Sequence, residues 1–308
     1  MEYKNILSKT WYLLKNTTLE FLDDNAIKLS AALAYYTIFA LPPLLIIIIT
    51  ICGFFFGEEA VTGQLYGQID GLVGRDAAIQ IQSAIKNVEL SGSNVFVTIF
   101  GVVMLLIGAS GVFAEIQSSI NYIWGLRAKP NKGLKKFIQN RIMSFSMIVS
   151  LGFLLIVSLM VNTVLDMVNA RLKLYFPEST VYLFYVLNSL IVLGIITLLF
   201  AIIFRTLPDG KIKWRDACLG AACTAVLFMI GKFVIGYYLG NSTIGSIYGA
   251  AGSVIIILVW VYYSSIILYF GAEFTKVYAK KYGGDISPNE YSVEIKKEIF
   301  EIIEPEKK

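Results

Sequence analysis

The chain of 308 residues contains no histidine. That excludes every catalytic unit needing an imidazole base, such as Ser-His-Asp or Cys-His, and every His-ligated zinc site. Charge is also scarce: 16% of residues are charged and 56% hydrophobic, with a mean hydropathy of +0.69. This composition lies outside the soluble range and reads as a membrane protein. No GxxxxGK[ST] loop is present, so no ATP site is predicted, and neither a cofactor nor a metal is expected. The three cysteines, Cys52, Cys218 and Cys223, lack a CxxC spacing, fall within apolar runs and are expected to be core packing residues. The first thirty residues carry Glu2, Glu20, Asp23 and Asp24 and no short apolar core, so no cleaved signal peptide is read. The ten-residue alternation of a membrane barrel is missing as well.

What is abundant comes in six apolar blocks, roughly Ala31–Phe56, Val95–Ala114, Ile142–Leu165, Val181–Phe204, Ala217–Leu239 and Gly249–Phe270. Each approaches the ~20 residues a helix needs to cross a ~30 Å hydrocarbon core. The fold class predicted is therefore an all-α polytopic membrane protein with six transmembrane helices. Residues 1–30 form an amphipathic N-terminal segment, 31–272 the six-helix domain and 273–308 a tail. In the N-terminal segment Leu7, Trp11, Leu14, Thr18 and Leu22 recur at helical spacing, as suits a helix in the headgroup layer. The connection 57–93 repeats the pattern with Leu65, Ile69, Leu72 and then Ile81, Ile85, Val88, predicting amphipathic helices that cap the bundle.

Lysine and arginine orient the spans, because they accumulate in cytoplasmic loops. Lys4, Lys9, Lys15 and Lys28 precede the first block; Arg127, Lys129, Lys132, Lys135, Lys136 and Arg141 follow the second; Arg205, Lys211, Lys213 and Arg215 follow the fourth. The alternate connections are poor in base, and 57–93 carries more acid than base. Both termini are predicted to be cytoplasmic. Topology accounts for the basic run at 127–141, so no nucleic-acid partner is read from it; membrane lipids are the expected partners.

A few residues inside the blocks break the apolar pattern. Pro42-Pro43 predicts a break or kink in the first span, which either builds a transport site or is inert. Gly236, Gly240, Gly245, Gly249 and Ser253 follow small-xxx-small spacing and predict close packing of the last two spans, with Gly245, Gly249 and Gly252 as a hinge if the hairpin moves. The same small-residue faces serve a homo-oligomer as readily as intramolecular packing. Glu115 and Asn121 bring polarity to the end of the second span, and Glu115 reads either as a coupling site or as an acid at the interface. Lys232 stands alone in "MIGKFVIGYY", eight residues before Gly240 and so about 12 Å below that end of the helix. It reads either as a snorkelling anchor or as a cation in a polar cavity holding an anionic group.

The stretches "AALAYYTIFALPPLL" (31–45), "ASGVFAEIQSSINYIWGLR" (109–127), "LPDGKIKWRDACLGA" (207–221) and "IYGAAGSVIIILVWVYYSSIILYFGAEFTKVYAKKYG" (247–283), in that order, resemble the YihY/BrkB family of bacterial inner-membrane proteins, once labelled ribonuclease BN. The resemblance implies six helices with both ends in the cytoplasm, and a part in transport or lipid export. Lys232, Asn121 and Glu273 match positions that commonly carry such residues in the family; no catalytic residue is implied. The ribonuclease label conflicts with a chain lacking histidine ligands. The expectation is thus a non-enzymatic transporter or lipid translocase for an anionic amphiphile or small solute. Lys232 would be its anion site, and Glu115, Asn121 and Glu273 its polar or coupling sites. The alternative is a non-transporting envelope scaffold. A polar lumen at Lys232 favours the first and lipid exposure the second.

Overall fold

The computed structural model describes residues 2–40, 111–129, 178–240 and 251–295, with isolated helical positions at 63, 66, 79 and 108. Helix α1 spans Glu2–Asp23. It ends where Asn25 turns left-handed (φ 52°), a conformation Asn tolerates better than most residues. Helix α2, Ala26–Ala40, follows at once, so the first apolar segment begins at 26 rather than 31. Residues 111–123 form α3. Gly125 (φ 69°) then turns the chain into strand β1, Leu126–Ala128.

The long helices are α4 (Glu178–Thr206), α5 (Trp214–Gly240) and α6 (Ala251–Tyr282), separated by strand β2 (Gly210–Lys211) and by 241–250, which lie outside the described residues. All three are long and apolar enough to cross a membrane. At 1.5 Å per residue the 32 residues of α6 reach about 48 Å, well beyond a ~30 Å core. Of the other predicted spans, Ile142–Leu165 and most of Ala31–Phe56 and Val95–Ala114 lie outside the described residues, as do Pro42 and Pro43 and most of 57–93.

An all-α fold is corrected in one respect. Strands β3 (Ser287–Pro288) and β4 (Ser292–Glu294) follow α6 and pair antiparallel with β2 and β1, in registers Lys211↔Ser287 and Leu126↔Glu294. These short pairs satisfy backbone groups where the chain crosses the end of the bundle. Residues 273–295 are built into the fold, and the boundary drawn at 273 falls inside α6.

Among the described residues, close approach between α5 and α6 comes at Gly220 and Gly271 and not at Gly236. A Cβ at Gly220 would overlap Thr275, and one at Gly271 would overlap Thr224, so two Gly-xxx-Thr segments interlock head to tail. Each threonine hydroxyl turns back onto its own helix, Thr224 donating to Gly220 O (2.8 Å) and Thr275 to Gly271 O (2.7 Å), so burial leaves neither unsatisfied. A Cβ at Gly236, by contrast, would meet nothing. Gly252 is buried in the first turn of α6, and Gly245 and Gly249 lie outside the described residues. Cys218 is exposed and Cys223 half-buried, so neither is the core residue expected, and Cys52 is outside the described residues.

The core gathers Ile120, Ile123, Phe204, Leu207 and Tyr269, all fully buried, at the end where the basic residues 127, 129, 205, 211, 213 and 215 lie. Helix α1 runs antiparallel to the end of α6: Phe21 packs on Phe270 (centroids 5.8 Å), Lys281 over Tyr12 (5.3 Å) and Lys9 over Tyr282 (5.9 Å). It buries Leu13, Thr17, Phe21 and the adjoining Asp24 against the protein. The predicted stripe of Trp11, Leu14, Thr18 and Leu22 faces outward, with Trp11 71% exposed.

Candidate functional site

The polar residues of interest converge on the basic end of the bundle. Asp209, in the turn after α4, is buried and is the hub of one network. Its carboxylate accepts from Asn121 Nδ2 (3.0 Å) and Gln117 Nε2 (3.4 Å), both on α3, and its N–H donates to Asn121 Oδ1 (2.7 Å). Its carbonyl accepts from Ser292 Oγ (2.6 Å) and from the Asn289 N–H (3.0 Å). One side chain and its backbone thus tie α3, the α4–β2 turn and the C-terminal strands together. Trp124 Nε1 adds a bond from the end of α3 to Ala272 O on α6 (3.1 Å). The neighbouring Gly210 is pressed against Leu126, Ile286 and Trp124 and has no room for a side chain.

A second, ionic cluster joins α1 to α6. Lys276 Nζ lies 2.6 Å from Glu20 Oε2, 3.1 Å from Asp24 Oδ2 and 3.2 Å from Glu273 Oε2. The Glu273 side chain is 0% exposed and those of Asp24 and Lys276 nearly as dry, while that of Glu20 is 40% exposed. Glu273 and Lys276 are one turn apart on α6, and Glu20 and Asp24 one turn apart where α1 ends. Each pair therefore presents a single face to the other.

Glu115 lies between these clusters in chain order on α3, half-buried, and accepts from Ser119 Oγ (3.3 Å). The fully buried Tyr269 hydroxyl comes near Ser119 and Glu115 without a well-formed hydrogen bond.

Above the ionic cluster opens a cavity of about 450 Å³ between α1, the turn after α3, the end of α6 and β4. Glu20, Asp24, Lys276, Lys280 and Glu294 supply its charges, and Tyr122 and Trp124 its aromatic wall. Among the described residues no group of carboxylates and thiols is arranged to hold a metal ion.

Of the residues singled out by sequence, Glu115, Asn121 and Glu273 are brought to this one layer. Lys232 is not: it is exposed in the far half of α5, flanked by the exposed Ile230, Phe233 and Val234, with no polar partner among the described residues. Sequence reasoning missed Asp209 and Lys276. Asp209 stands within "LPDGK", and Lys276 lies beyond the last apolar block. The signal available was spacing, since Glu20/Asp24 and Glu273/Lys276 are i,i+4 and i,i+3 pairs of buried-face charges.

The family described as virulence factor BrkB matches residues 17–295, which take in both clusters and the cavity. A UPF0761 membrane protein of Saccharophagus degradans is 26% identical over 263 residues, 85% of this chain and 58% of that protein. One from Teredinibacter turnerae is 26% identical over 267 residues, 86% of this chain and 60% of its own length. One from Alteromonas mediterranea is 28% identical over 255 residues, 82% of this chain and 83% of its own length. The chain thus spans under two thirds of the first two relatives. No solved structure matches it. With the match running from within α1 through β4, the chain belongs to the virulence factor BrkB family of membrane proteins.

Proposed function

We propose that this chain is a multi-pass protein of the bacterial plasma (inner) membrane, with six transmembrane helices and both termini cytoplasmic, that acts as a transporter or lipid translocase for an anionic amphiphile or small solute. The observation that carries the reading is the charged cavity of about 450 Å³ at the basic end, which the positive-inside rule makes the cytoplasmic end. It has room for a headgroup-sized polar molecule, and Lys280 on its rim offers a cation to an anionic group. On the outer half of α5, Lys232 stands exposed on an otherwise apolar flank and not in a polar lumen, the placement that favours the scaffold alternative; under the transport reading an anionic headgroup travelling along the helix would meet its cation there. Neither catalysis nor a nucleic-acid partner belongs to this reading.

The test is transbilayer movement of fluorescent anionic and zwitterionic lipids in proteoliposomes, with the wild type, Lys232→Met and Lys280→Met compared. Protein-dependent movement of the anionic lipids, lost in Lys232→Met and reduced in Lys280→Met, is the expected result. If a folded protein moves none of them, with or without a proton gradient, the lipid version is wrong and a soluble solute or a scaffold remains. The scaffold reading draws its support from the same flank: exposed Lys232, Phe233 and Tyr237 form the lipid-facing or partner-facing surface that a non-transporting protein would carry.

A further inference from the structure

We infer that Glu273 is a proton-binding site, carrying a proton while α1 is docked on α6, so that loss of the proton and release of α1 are linked. An ammonium has three N–H donors. Those of Lys276 are directed to Glu20, Asp24 and Glu273 Oε2, at 2.6, 3.1 and 3.2 Å, which exhausts them. The second oxygen of Glu273, Oε1, is buried and has no hydrogen-bond donor among the described residues. Buried polar atoms are almost always paired, and an ionised oxygen left dry and unpaired is the most costly exception.

Charge balance points the same way. Glu20 is 40% exposed on its side chain, so water answers for much of its charge. Asp24 and Glu273 are both dry and meet on the ammonium of Lys276. Two carboxylates in one site do not both ionise readily. A proton on Glu273 relieves their repulsion and turns its unpaired oxygen into a donor, with Asp24 within hydrogen-bonding reach. Asp24 and Glu20 also line the cavity, giving the proton a route to water. The charged groups facing the site are Glu20 and Asp24 from the end of α1, Lys276 from α6 itself, and Lys280 and Glu294 around the cavity rim. The device depends on docking of α1 and not on what, if anything, the protein transports.

The full-length protein in nanodiscs, with glutamate isotope-labelled, tests this by infrared spectroscopy. The wild type at neutral pH should show the carbonyl stretch of a protonated glutamic acid, and Glu273→Gln should abolish that band. Asp24→Asn, which leaves Glu273 the only dry acid beside Lys276, should also remove it, through ionisation. Amide exchange of α1 gives the linkage. Corrected for intrinsic rate, protection in the wild type should fall as pH rises through the titration, by up to about tenfold per pH unit for one proton; in Glu273→Gln it should stay high and flat. The inference is overturned if the wild type shows no protonated glutamic acid, if the band survives Glu273→Gln or Asp24→Asn, or if a folded Glu273→Gln leaves α1 as unprotected as alkaline wild type. Should Glu273→Gln not fold, the wild-type spectrum and Asp24→Asn decide alone.

Discussion

Between Trp214 and Ala225, α5 buries Asp216, Ala217, Gly220, Ala221, Thr224 and Ala225; between Val226 and Tyr238 it buries only Gly231 and Ile235 and exposes Val226, Ile230, Phe233, Val234, Tyr237 and Tyr238. The two halves belong to one unbroken helix. What separates them is side-chain size and the company of polar groups. The near half is built of small residues, which let α6 come within backbone reach, and its polar atoms are satisfied locally. Thr224 bonds its own helix, and Asp216 Oδ2 accepts the Gly284 N–H at 2.9 Å. The far half carries large apolar side chains that gain little from leaving lipid, since hydrocarbon tails are as apolar as they are. Specific structure is concentrated at the basic end because water and charge supply a driving force there.

The contrast breaks most sharply at Lys276. Lys276→Met takes its cation from the buried Asp24 carboxylate, and removing one partner of a buried ion pair costs roughly 3–5 kcal/mol. Little of that comes from Glu20, which is partly solvated. A fall in the thermal unfolding midpoint, together with faster amide exchange in α1, is the expected outcome. Adding Asp24→Asn to Lys276→Met should return part of the loss, because the two sites are coupled. Full additivity would mean that the ionic cluster is not what holds α1.

A smaller effect separates the two halves of α5 directly. Gly220→Val and Gly271→Val each force a side chain into a facing threonine, an overpacking worth about 1–3 kcal/mol or more. Gly236→Val enters open space and should stay within about 0.5 kcal/mol. Unfolding of the three variants in the same detergent gives the comparison. Equal losses would add close packing at the turn end of the hairpin, where the sequence spacing placed it.

How far these differences were legible depends on the length of the signal. The block Ala217–Leu239 lies within α5, Val181–Phe204 within α4, and all but the first two residues of Gly249–Phe270 within α6, because twenty apolar residues in a row have one physical reading. The extension of α6 through Glu273 to Tyr282 was not legible, since a polar helix leaving the membrane has the composition of a tail. Strands of two or three residues are too short to show a period-2 alternation. In α1 the Trp11 stripe could be read, but the face packed on α6 could not, because Thr17 and Asp24 interrupt its apolar pattern. At the site, Glu115, Asn121 and Glu273 drew notice as polar residues beside apolar runs. Asp209 is 88 residues from Asn121, and no local pattern joins them.

The smallest stability effect is expected where the sequence looked most provocative. Lys232 is exposed and has no partner among the described residues, so Lys232→Met strands no buried counter-charge and trades a cation for an apolar side chain on an apolar flank. Its unfolding midpoint should match the wild type, within about 0.5 kcal/mol. A loss near the 3–5 kcal/mol of a broken buried pair would instead put the ammonium in a closed polar site. That makes stability a reading of where Lys232 points, separate from any assay of movement. If Lys232→Met is as stable as the wild type and lipid movement still fails, the ammonium acts on something that comes and goes from the flank of α5, which is what a translocated headgroup does and a structural anchor does not.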